Sequence, residues 1–366
     1  MAGKNKKKKS GNKVAKIVLF VIEAAILIGL LSALYILKDF GKTGVIRAEF
    51  SDGDIKMNEQ VVNNEQVVEK MKGYRNIALF GVDSTAGSLT KNTRSDSIII
   101  ASVNMDTGEI KLVSVYRDTI LNIDGIDKYK KCNSAYMFGG AKQAMEMLNM
   151  NLDLNITDFV AVGFEGLKEA IDALGGVWVE VEKAEIVHLN NYQLTMSEDL
   201  DCDYVKVEEP GYQLLDGLQA VAYCRIRYVG SDFQRTERQR EVINAIVDQA
   251  KKADPQELVD AVNSIVESGN VYTSIKPEEI LEMVPKIAEY EIVDEGGFPY
   301  EKYRGTGKMG SEGDSVLALD LEKNVQWLHE FLFGVEDYQV SDIVASYSQT
   351  IREKVAKYQP DMKYPE

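Results

Sequence analysis

Arginine is concentrated in one short part of this chain. Five of its eleven arginines fall within the sixteen residues from Arg225 to Arg240, although the protein carries a net charge of −16. The guanidinium is planar and permanently charged, and its fork of donors matches phosphate oxygens. A solvated helix face is the simpler interpretation of such a run. The spacing favours an anion site, because Arg235, Arg238 and Gln239 lie at i, i+3 and i+4 on one helix face.

The elements around these arginines must bring them together. Residues 221–228 read Val-Ala-Tyr-Cys-Arg-Ile-Arg-Tyr, which predicts a strand with Arg225 and Arg227 on the same face. Ser231 followed by Gln234 resembles a capping box and predicts that a helix begins there. With a short turn between strand and helix, four guanidiniums and an amide converge at a helix N-terminus. That arrangement suits a group with two phosphates.

Two aspartates are predicted at neighbouring strand ends. Asp83 closes one apolar strand, and Asp96 opens the next. If these strands pair, the two carboxylates either share a proton or bind a hard divalent cation. Nearby substrate phosphates favour Mg²⁺, with Mn²⁺ as an alternative, at Asp83 and Asp96. An ordinary turn aspartate is the alternative for either residue alone.

A third strand ends in Arg117 and Asp118, at a position where α/β proteins place ligand sites. A local salt bridge is the alternative.

The two histidines, His188 and His329, have no Ser or Cys beside them in a nucleophile setting, and the sequence holds no Walker A motif. A histidine triad, a multi-histidine zinc site and a P-loop are therefore excluded. The reaction class that remains is phosphoryl transfer from an activated pyrophosphate, assisted by a metal ion and by arginines that hold the phosphates.

The pattern of elements predicts the fold. Apolar runs at Asn76–Gly81, Ser97–Asn104 and Ile110–Tyr116 predict strands, and the first two are near-continuously apolar, as expected for a sheet covered on both faces. Met105-Asp-Thr-Gly is a hairpin-type turn, which predicts that the second and third strands are antiparallel. Helical stretches between and after them, ending with Leu321–Phe333, favour an α/β fold: a three-layer α/β/α domain with a central mixed sheet, over residues 73–334. Residues 39–72 are predicted to be a stalk with a short helix at Met57–Met71. Residues 335–366 are predicted to be a C-terminal tail.

The N-terminus predicts a membrane anchor. The first sixteen residues contain seven lysines and no acid, and the twenty-one residues from Ile17 to Leu37 include only one charge, Glu23. Residues 1–16 are therefore predicted to be a basic cytoplasmic tail and residues 17–38 a single transmembrane helix, which places the following domain outside the cytoplasm. A cleaved signal peptide is the alternative.

Charge and cysteine content exclude other classes. Without the seven N-terminal lysines, 35 basic and 58 acidic residues leave a net charge of −23, which excludes nonspecific binding to nucleic acid. Cys132, Cys202 and Cys224 form neither a disulfide framework nor a metal cluster. A bridge between Cys202 and Cys224 and buried free thiols are both compatible with the sequence.

Several short motifs occur along the chain in the same order as in a known family. They are, in chain order, Gly81-x-Asp83, Arg94-Ser-Asp96-Ser, Arg117-Asp118-Thr, Lys131-x-Asn133-x-Ala-Tyr136-x-x-Gly-Gly, Phe164-Glu-Gly-Leu, Ala173-Leu-Gly-Gly-Val, Leu215-Asp-Gly-x-Gln-Ala-x-Ala-Tyr-x-Arg-x-Arg and Asp232-Phe-x-Arg235-x-x-Arg238-Gln239. With them the chain resembles the LytR-CpsA-Psr family over about residues 73–334.

The resemblance implies a cell-wall glycopolymer ligase of a Gram-positive type envelope. Such an enzyme takes a wall teichoic acid, capsule or related polymer from undecaprenyl pyrophosphate and attaches it to peptidoglycan by a phosphodiester. It further implies that Asp83 and Asp96 position Mg²⁺, that Asp118 or Asp232 orients or deprotonates the acceptor, and that the prenyl chain enters an apolar groove around Phe159–Leu174. The implied pyrophosphate contacts are Arg94, Arg117, Arg225, Arg227, Arg235, Arg238 and Gln239.

Two other functions fit the same residues. A hydrolase would cleave the lipid pyrophosphate with water as the acceptor. A non-catalytic, membrane-anchored binder or regulator would hold envelope precursors. The paired carboxylates rank the binder last, because negative charge beside an anionic ligand gains nothing unless a metal intervenes.

Overall fold

The computed structural model describes residues 46–51, 53–82, 89–254, 257–258, 261, 269–276, 279 and 284–364. The predicted cytoplasmic tail, the predicted transmembrane helix and Asp83 lie outside these residues. Within them, no helix combines the length and the apolar character that a membrane crossing requires.

Helices and strands are both distributed along the chain. The strands are β1 (Ile46–Arg47), β2 (Tyr74–Val82), β3 (Ser95–Asn104), β4 (Glu109–Val115), β5 (Ile120–Asn122), β6 (Tyr129–Lys131), β7 (Asp158–Val162), β8 (Val177–Val181), β9 (Gly211–Leu215), β10 (Val271–Thr273), β11 (Glu291–Phe298), β12 (Arg304–Lys308) and β13 (Asp314–Ala318). The α-helices are α1 (Glu59–Asn63), α2 (Glu65–Met71), α3 (Ser134–Leu152), α4 (Phe164–Ala173), α5 (Ile186–Leu200), α6 (Gly217–Cys224), α7 (Asp232–Lys252), α8 (Leu321–Phe333) and α9 (Asp342–Tyr358).

The central sheet has the strand order β1-β10-β7-β2-β3-β4-β11. It is mixed, because β2 runs antiparallel to β3 and parallel to β7, and β4 runs antiparallel to β3 and parallel to β11. The predicted antiparallel pairing of the second and third strands is confirmed. Val82 at the end of β2 lies opposite Ser95 at the start of β3.

Successive residues of β3 point to opposite faces of the sheet and belong to two different hydrophobic clusters. Ile98 and Ile100 of β3 belong to the larger cluster, which also includes residues of α3, α8 and α9. Ile99 belongs to a smaller cluster, against which Ile243 of α7 packs. Because both faces of β3 are buried, its sequence is almost continuously apolar. The predicted mixed α/β class with a central mixed sheet is confirmed.

One predicted strand is wrong. The run that contains Arg225 is not a strand, because residues 217–224 form helix α6. Asp216 caps that helix, its side chain accepts from the backbone N–H of Gln219, and the Gln219 side chain completes the capping box. Every residue of α6 is buried in a second core with β8, β9 and α5. A helix that is buried all round has no polar face, so its sequence lacks the helical periodicity.

The segments predicted as stalk and tail pack onto the domain. β1 pairs with β10 in the central sheet, and the single helix predicted over residues 57–71 is two helices, α1 and α2, with Val61 and Met71 in the main core. The C-terminal segment forms α9, which buries Val344 and Ile351 in the same core.

Buried hydrogen bonds to Asp153 connect the N-terminal segment before β2 with the C-terminal segment that contains α9. Asn58 Nδ2 donates to Asp153, and the backbone N–H of Ser341 donates to the same carboxylate at 2.7 Å.

Candidate functional site

Asp96, at the start of β3, lies at the centre of a cluster of arginines. Its Oδ1 accepts from Arg117 Nη1 at 2.6 Å, and its Oδ2 accepts from Arg227 Nη2 at 2.9 Å. Its backbone carbonyl accepts from Arg235 Nη2 at 3.1 Å. Three guanidiniums from distant segments therefore surround one aspartate.

Two further carboxylates flank Arg117. Asp232 Oδ1 lies 3.0 Å from Arg235 Nη2 and 3.8 Å from Arg117 Nε. Asp118 Oδ2 lies 3.8 Å from the same Nε, and Asp118 Oδ1 lies 3.2 Å from Lys131 Nζ. Arg117 is thus held between three acidic side chains, which fix its position.

Each side chain reaches the site from the end of an element. Arg117 and Asp118 follow β4, and Arg227 lies in the turn after α6. Ser231 caps α7, and Gln234 completes its capping box as predicted, so that Asp232 and Arg235 lie in the first turn of that helix. Local capping therefore fixes the part of the site that the sequence signals most clearly.

Several buried polar atoms at this site have no hydrogen-bond partner among the described residues. They are Arg117 Nε, Arg235 Nε, Arg235 Nη1, Asp232 Oδ2 and Gln239 Oε1. Buried polar atoms in native proteins are nearly always satisfied, so unpaired donors and acceptors clustered in one place indicate a site for a polar ligand.

The charges at the site oppose one another. Burial lowers the pKa of Arg117, but the negative charges of Asp96, Asp232 and Asp118 outweigh it, and the pKa is raised. The pKa of Arg235 is instead lowered to about 10, first by burial and then by the positive charges of Arg117 and Arg227. The side chain of Arg235 is only 2% exposed. A buried cation beside two other cations is a place where an anion is strongly stabilised.

An apolar cavity of about 210 Å³ opens beside this cluster. Its walls come from β2, β3, β7, α4, α6 and α7, and they include Leu79, Ile99, Val160, Leu167 and Ile246. Its polar lining includes Asp96, Arg225, Arg227, Arg235 and Gln239. The cavity thus joins an apolar interior to a cationic rim, and it borders the predicted groove around Phe159–Leu174.

The other residues predicted to bind the pyrophosphate or the metal differ in where they lie. Arg225 lines the cavity with its guanidinium 4.5 Å from the Phe164 ring centroid. Arg94 is exposed and forms no ion pair with a described residue. Asp83, the predicted partner of Asp96, belongs to the part of the chain that the structure leaves undescribed.

Arg238, unlike Arg235, is turned away from the cavity. Its Nε donates to Glu185 Oε1 at 2.5 Å, and its Nη1 and Nη2 donate to the backbone carbonyls of Ile226 and Val229 at 3.2 and 2.8 Å. Both charged side chains of this ion pair are buried. The structure therefore gives Arg238 the task of holding the turn that carries Arg227.

Lys131 is a site residue whose contact the sequence analysis missed. β5 and β6 form an antiparallel hairpin that pairs Ile120 with Lys131 and so returns the lysine to Asp118. The turn between the two strands contains Asp124-Gly125, a common hairpin signal. Among the described residues, no group of three or more His, Cys, Asp or Glu side chains, including Asp96, Asp118 and Asp232, is arranged to hold a metal ion. The three cysteines are free.

The chain is similar in sequence to proteins of a known family. The model of the LytR_cpsA_psr family matches residues 43–323. A curated relative from Enterococcus faecalis, polyisoprenyl-teichoic acid–peptidoglycan teichoic acid transferase TagU, is 34% identical over 251 residues, which cover 67% of this chain and 74% of the relative.

Solved structures share the fold. The crystal structure of Bacillus subtilis TagV is 26% identical, with a TM-score of 0.56, covering 71% of this chain and 98% of that one. A LytR-CPS2A-psr family protein, YwtF (TagT), solved with bound octaprenyl pyrophosphate lipid, is 21% identical with a TM-score of 0.51, covering 72% of this chain and 92% of that one.

Proposed function

Because this chain belongs to the LytR-CpsA-Psr family, we propose that it transfers an anionic glycopolymer from a polyprenyl-pyrophosphate carrier to peptidoglycan and forms a phosphodiester bond. The similar relative named as a teichoic acid–peptidoglycan transferase and the family structure with octaprenyl pyrophosphate support this reaction. The observation that carries the proposal is the arginine cluster at the rim of an apolar cavity.

The donor fits this arrangement in one orientation. The prenyl chain enters the apolar cavity, and the pyrophosphate lies at the rim, where Arg117, Arg227 and Arg235 meet it. The unpaired N–H groups of Arg235 and Arg117 then gain phosphate partners, which removes the cost of leaving them buried and unsatisfied. Arg225 and Gln239 at the rim, together with Arg94, complete the proposed pyrophosphate contacts.

The reaction is a phosphoryl transfer to an acceptor hydroxyl. The hydroxyl oxygen of the acceptor sugar attacks the phosphorus that carries the glycan, and the bond from that phosphorus to the bridging oxygen breaks. Polyprenyl phosphate leaves with the bridging oxygen. The acceptor proton passes to Asp118 or Asp232, both of which lie beside Arg117, and the arginines stabilise the charge on the transferring group.

The donor set at Asp96 fits a divalent cation in part. Each carboxylate oxygen of Asp96 accepts one arginine N–H and keeps a free lone pair. Asp83 follows Val82, whose backbone pairs with Ser95 beside Asp96. We propose that Asp96 and Asp83 hold Mg²⁺ or Mn²⁺ together with substrate phosphate oxygens, where the cation neutralises charge on the pyrophosphate.

The location follows from the lipid carrier. A polyprenyl pyrophosphate remains in a bilayer, so the site must lie beside a membrane. We propose that residues 17–38 form the single membrane anchor, with residues 1–16 in the cytoplasm and the domain on the outer side, where peptidoglycan lies.

Transfer can be tested with the full-length protein in lipid nanodiscs. A radiolabelled polyprenyl-pyrophosphate glycan, Mg²⁺ and peptidoglycan strands should give a labelled, phosphodiester-linked product. Arg117→Ala and Arg227→Ala should lower the rate by a factor on the order of 10²–10³. Unchanged turnover in both variants would contradict the proposal.

The same experiment separates the other functions. Free phosphorylated glycan, released at the same rate with or without peptidoglycan, identifies a hydrolase. Donor binding without turnover under every metal condition identifies a binder. Asp118→Asn and Asp232→Asn, compared at saturating donor, show which carboxylate accepts the proton, because only its loss makes the rate depend on added general base.

A further inference from the structure

Arg304, on β12, has no acidic partner among the described residues of this strongly acidic protein. It forms no ion pair with any residue within the described ranges. Arg240 and Arg352 show the usual arrangement, since each lies 2.9 Å from a carboxylate oxygen. An arginine without a carboxylate in a chain with 58 acidic residues indicates that its charge has another use.

Aromatic side chains hold Arg304 in one position. Its guanidinium carbon lies 3.8 Å from the ring centroid of Phe233 and 5.1 Å from that of Tyr116. Its Nη1 donates to the hydroxyl oxygen of Tyr116 at 2.9 Å. The two rings meet edge to face with centroids 4.6 Å apart. A Cβ on Gly297 would overlap the Tyr116 hydroxyl, so the backbone of β11 also shapes this support.

The aromatic residues that hold Arg304 are neighbours of the reacting groups. Tyr116 directly precedes Arg117, and Phe233 directly follows Asp232. None of these four residues lines the apolar cavity, whereas Asp96 does. Arg304 therefore contacts the residues that adjoin Arg117 and Asp232 in the chain, and it lies outside the set of residues that surrounds the cavity.

We propose that Arg304 forms a second anion subsite, which binds a phosphate of the donor glycan beyond the reacting pyrophosphate. This inference rests on the proposed function. If the prenyl chain occupies the cavity and the pyrophosphate lies on Arg117, the glycan must leave on the side away from the cavity, where Arg304 stands. One N–H of Arg304 is used by Tyr116, and the remaining donors of the fork are available for phosphate oxygens.

The subsite predicts a preference between two donors. One is a polyprenyl-pyrophosphoryl disaccharide that carries a glycerol phosphate unit, and the other is the same disaccharide without it. In the full-length protein in nanodiscs, Arg304→Met should raise KM for the phosphate-bearing donor about 10-fold, because a charge-assisted contact is lost. Its kcat should change by less than about twofold, and KM for the neutral donor should change far less than 10-fold. Arg304→Lys, which keeps the charge without the fork, should lie in between.

Arg352→Met is the matched control. Arg352, on α9, is paired with Asp320, the N-cap residue of α8, so its replacement should not alter the preference between the two donors. Equal changes for both donors, or no change for either, would overturn the proposal. A rise in KM for the peptidoglycan acceptor instead of the donor would also overturn it, since the anion would then be an acceptor carboxylate.

Two measurements keep the test independent of folding and of transfer. If Arg304→Met is too unstable to assay, the wild-type preference for the phosphate-bearing donor must still shrink as salt rises from low to high, and a salt-independent preference contradicts the subsite. Fluorescence anisotropy with both donors and no acceptor measures binding alone. Preferential binding without transfer would refute the proposed function and leave the subsite standing, whereas transfer without preference would refute the subsite only.

Discussion

Replacing Arg235 by methionine should stabilise the folded protein while it removes the affinity for a diphosphate. The pKa of this buried arginine is lowered from 12.5 to about 10. One pKa unit corresponds to about 1.4 kcal/mol, so keeping the charge in the folded state costs about 3 kcal/mol. The folded state disfavours the proton, and this cost is therefore present at neutral pH and declines only as the pH rises above about 10.

The variant also loses two favourable contacts. The ion pair with Asp232, 3.0 Å away, is already included in the pKa of Arg235, because the negative charge of Asp232 raises that pKa. Arg235 Nη2 donates to the backbone carbonyl of Asp96, and such a hydrogen bond contributes about 1 kcal/mol. Methionine is apolar and of similar length, so it fills the space without a charge. The expected net gain is about 1–2 kcal/mol, which raises Tm by roughly 2–3 °C for a domain of this size.

Arg238→Met is the matched control, because Arg238 lies one turn further along the same helix. Its buried ion pair with Glu185 leaves an uncompensated carboxylate when the arginine is removed, and the expected loss is about 3–5 kcal/mol. The assay is thermal unfolding of the full-length protein in detergent, with and without geranylgeranyl pyrophosphate. The ligand should raise Tm of the wild type and not of Arg235→Met. A destabilised Arg235→Met that still binds the ligand would refute the assignment of Arg235 to the anion site.

Three further changes test other parts of the structure. Asp96→Asn removes the negative charge between Arg117 and Arg227; it should raise the metal-free affinity for pyrophosphate about 10-fold and abolish stimulation by Mg²⁺, measured by titration with and without EDTA. Intact stimulation would contradict the metal site. Leu167→Trp fills the cavity and should weaken octaprenyl pyrophosphate at least about 10-fold, because several CH₂ groups stay in water, with inorganic pyrophosphate unaffected; equal losses would place the lipid elsewhere. His329 is buried with its pKa lowered to about 4, so the wild type should lose about 3 kcal/mol relative to His329→Phe as pH falls from 6.5 to 4; parallel pH curves would show that the histidine titrates normally.

The sequence predicts the parts of this fold that depend on local signals. The apolar runs of β2, β3 and β4 and the capping box of α7 appear where expected. Helix α9 was missed, although Val344, Tyr347, Ile351 and Val355 recur at helical spacing on its buried face. Residues 335–366 follow the last predicted helix, and this position favours the interpretation as a tail. Only tertiary packing shows where the apolar face of α9 is buried.

The site was predictable by residue type and only partly by role. Arg235 and Arg238 carry equivalent signals in the sequence, three positions apart on one helix face. What separates them is Glu185, which lies 53 residues away along the chain and reaches Arg238 through the fold. Lys131 reaches Asp118 in the same way, through a hairpin. Sequence spacing gives the face of an element, whereas the partner on that face comes from long-range packing.

The charges at the site argue for joint binding of metal and substrate. Arg117, Arg225, Arg227 and Arg235 provide four positive charges, Asp96 and Asp232 provide two negative ones, and Asp118 and Lys131 cancel each other. Asp83, if it joins Asp96 as we propose, leaves the site with a net charge of about +1. A pyrophosphate diester alone would then add two negative charges to a nearly neutral site, and Mg²⁺ alone would add two positive ones. Only binding of both together leaves the net charge of the site unchanged, so each should strengthen the binding of the other.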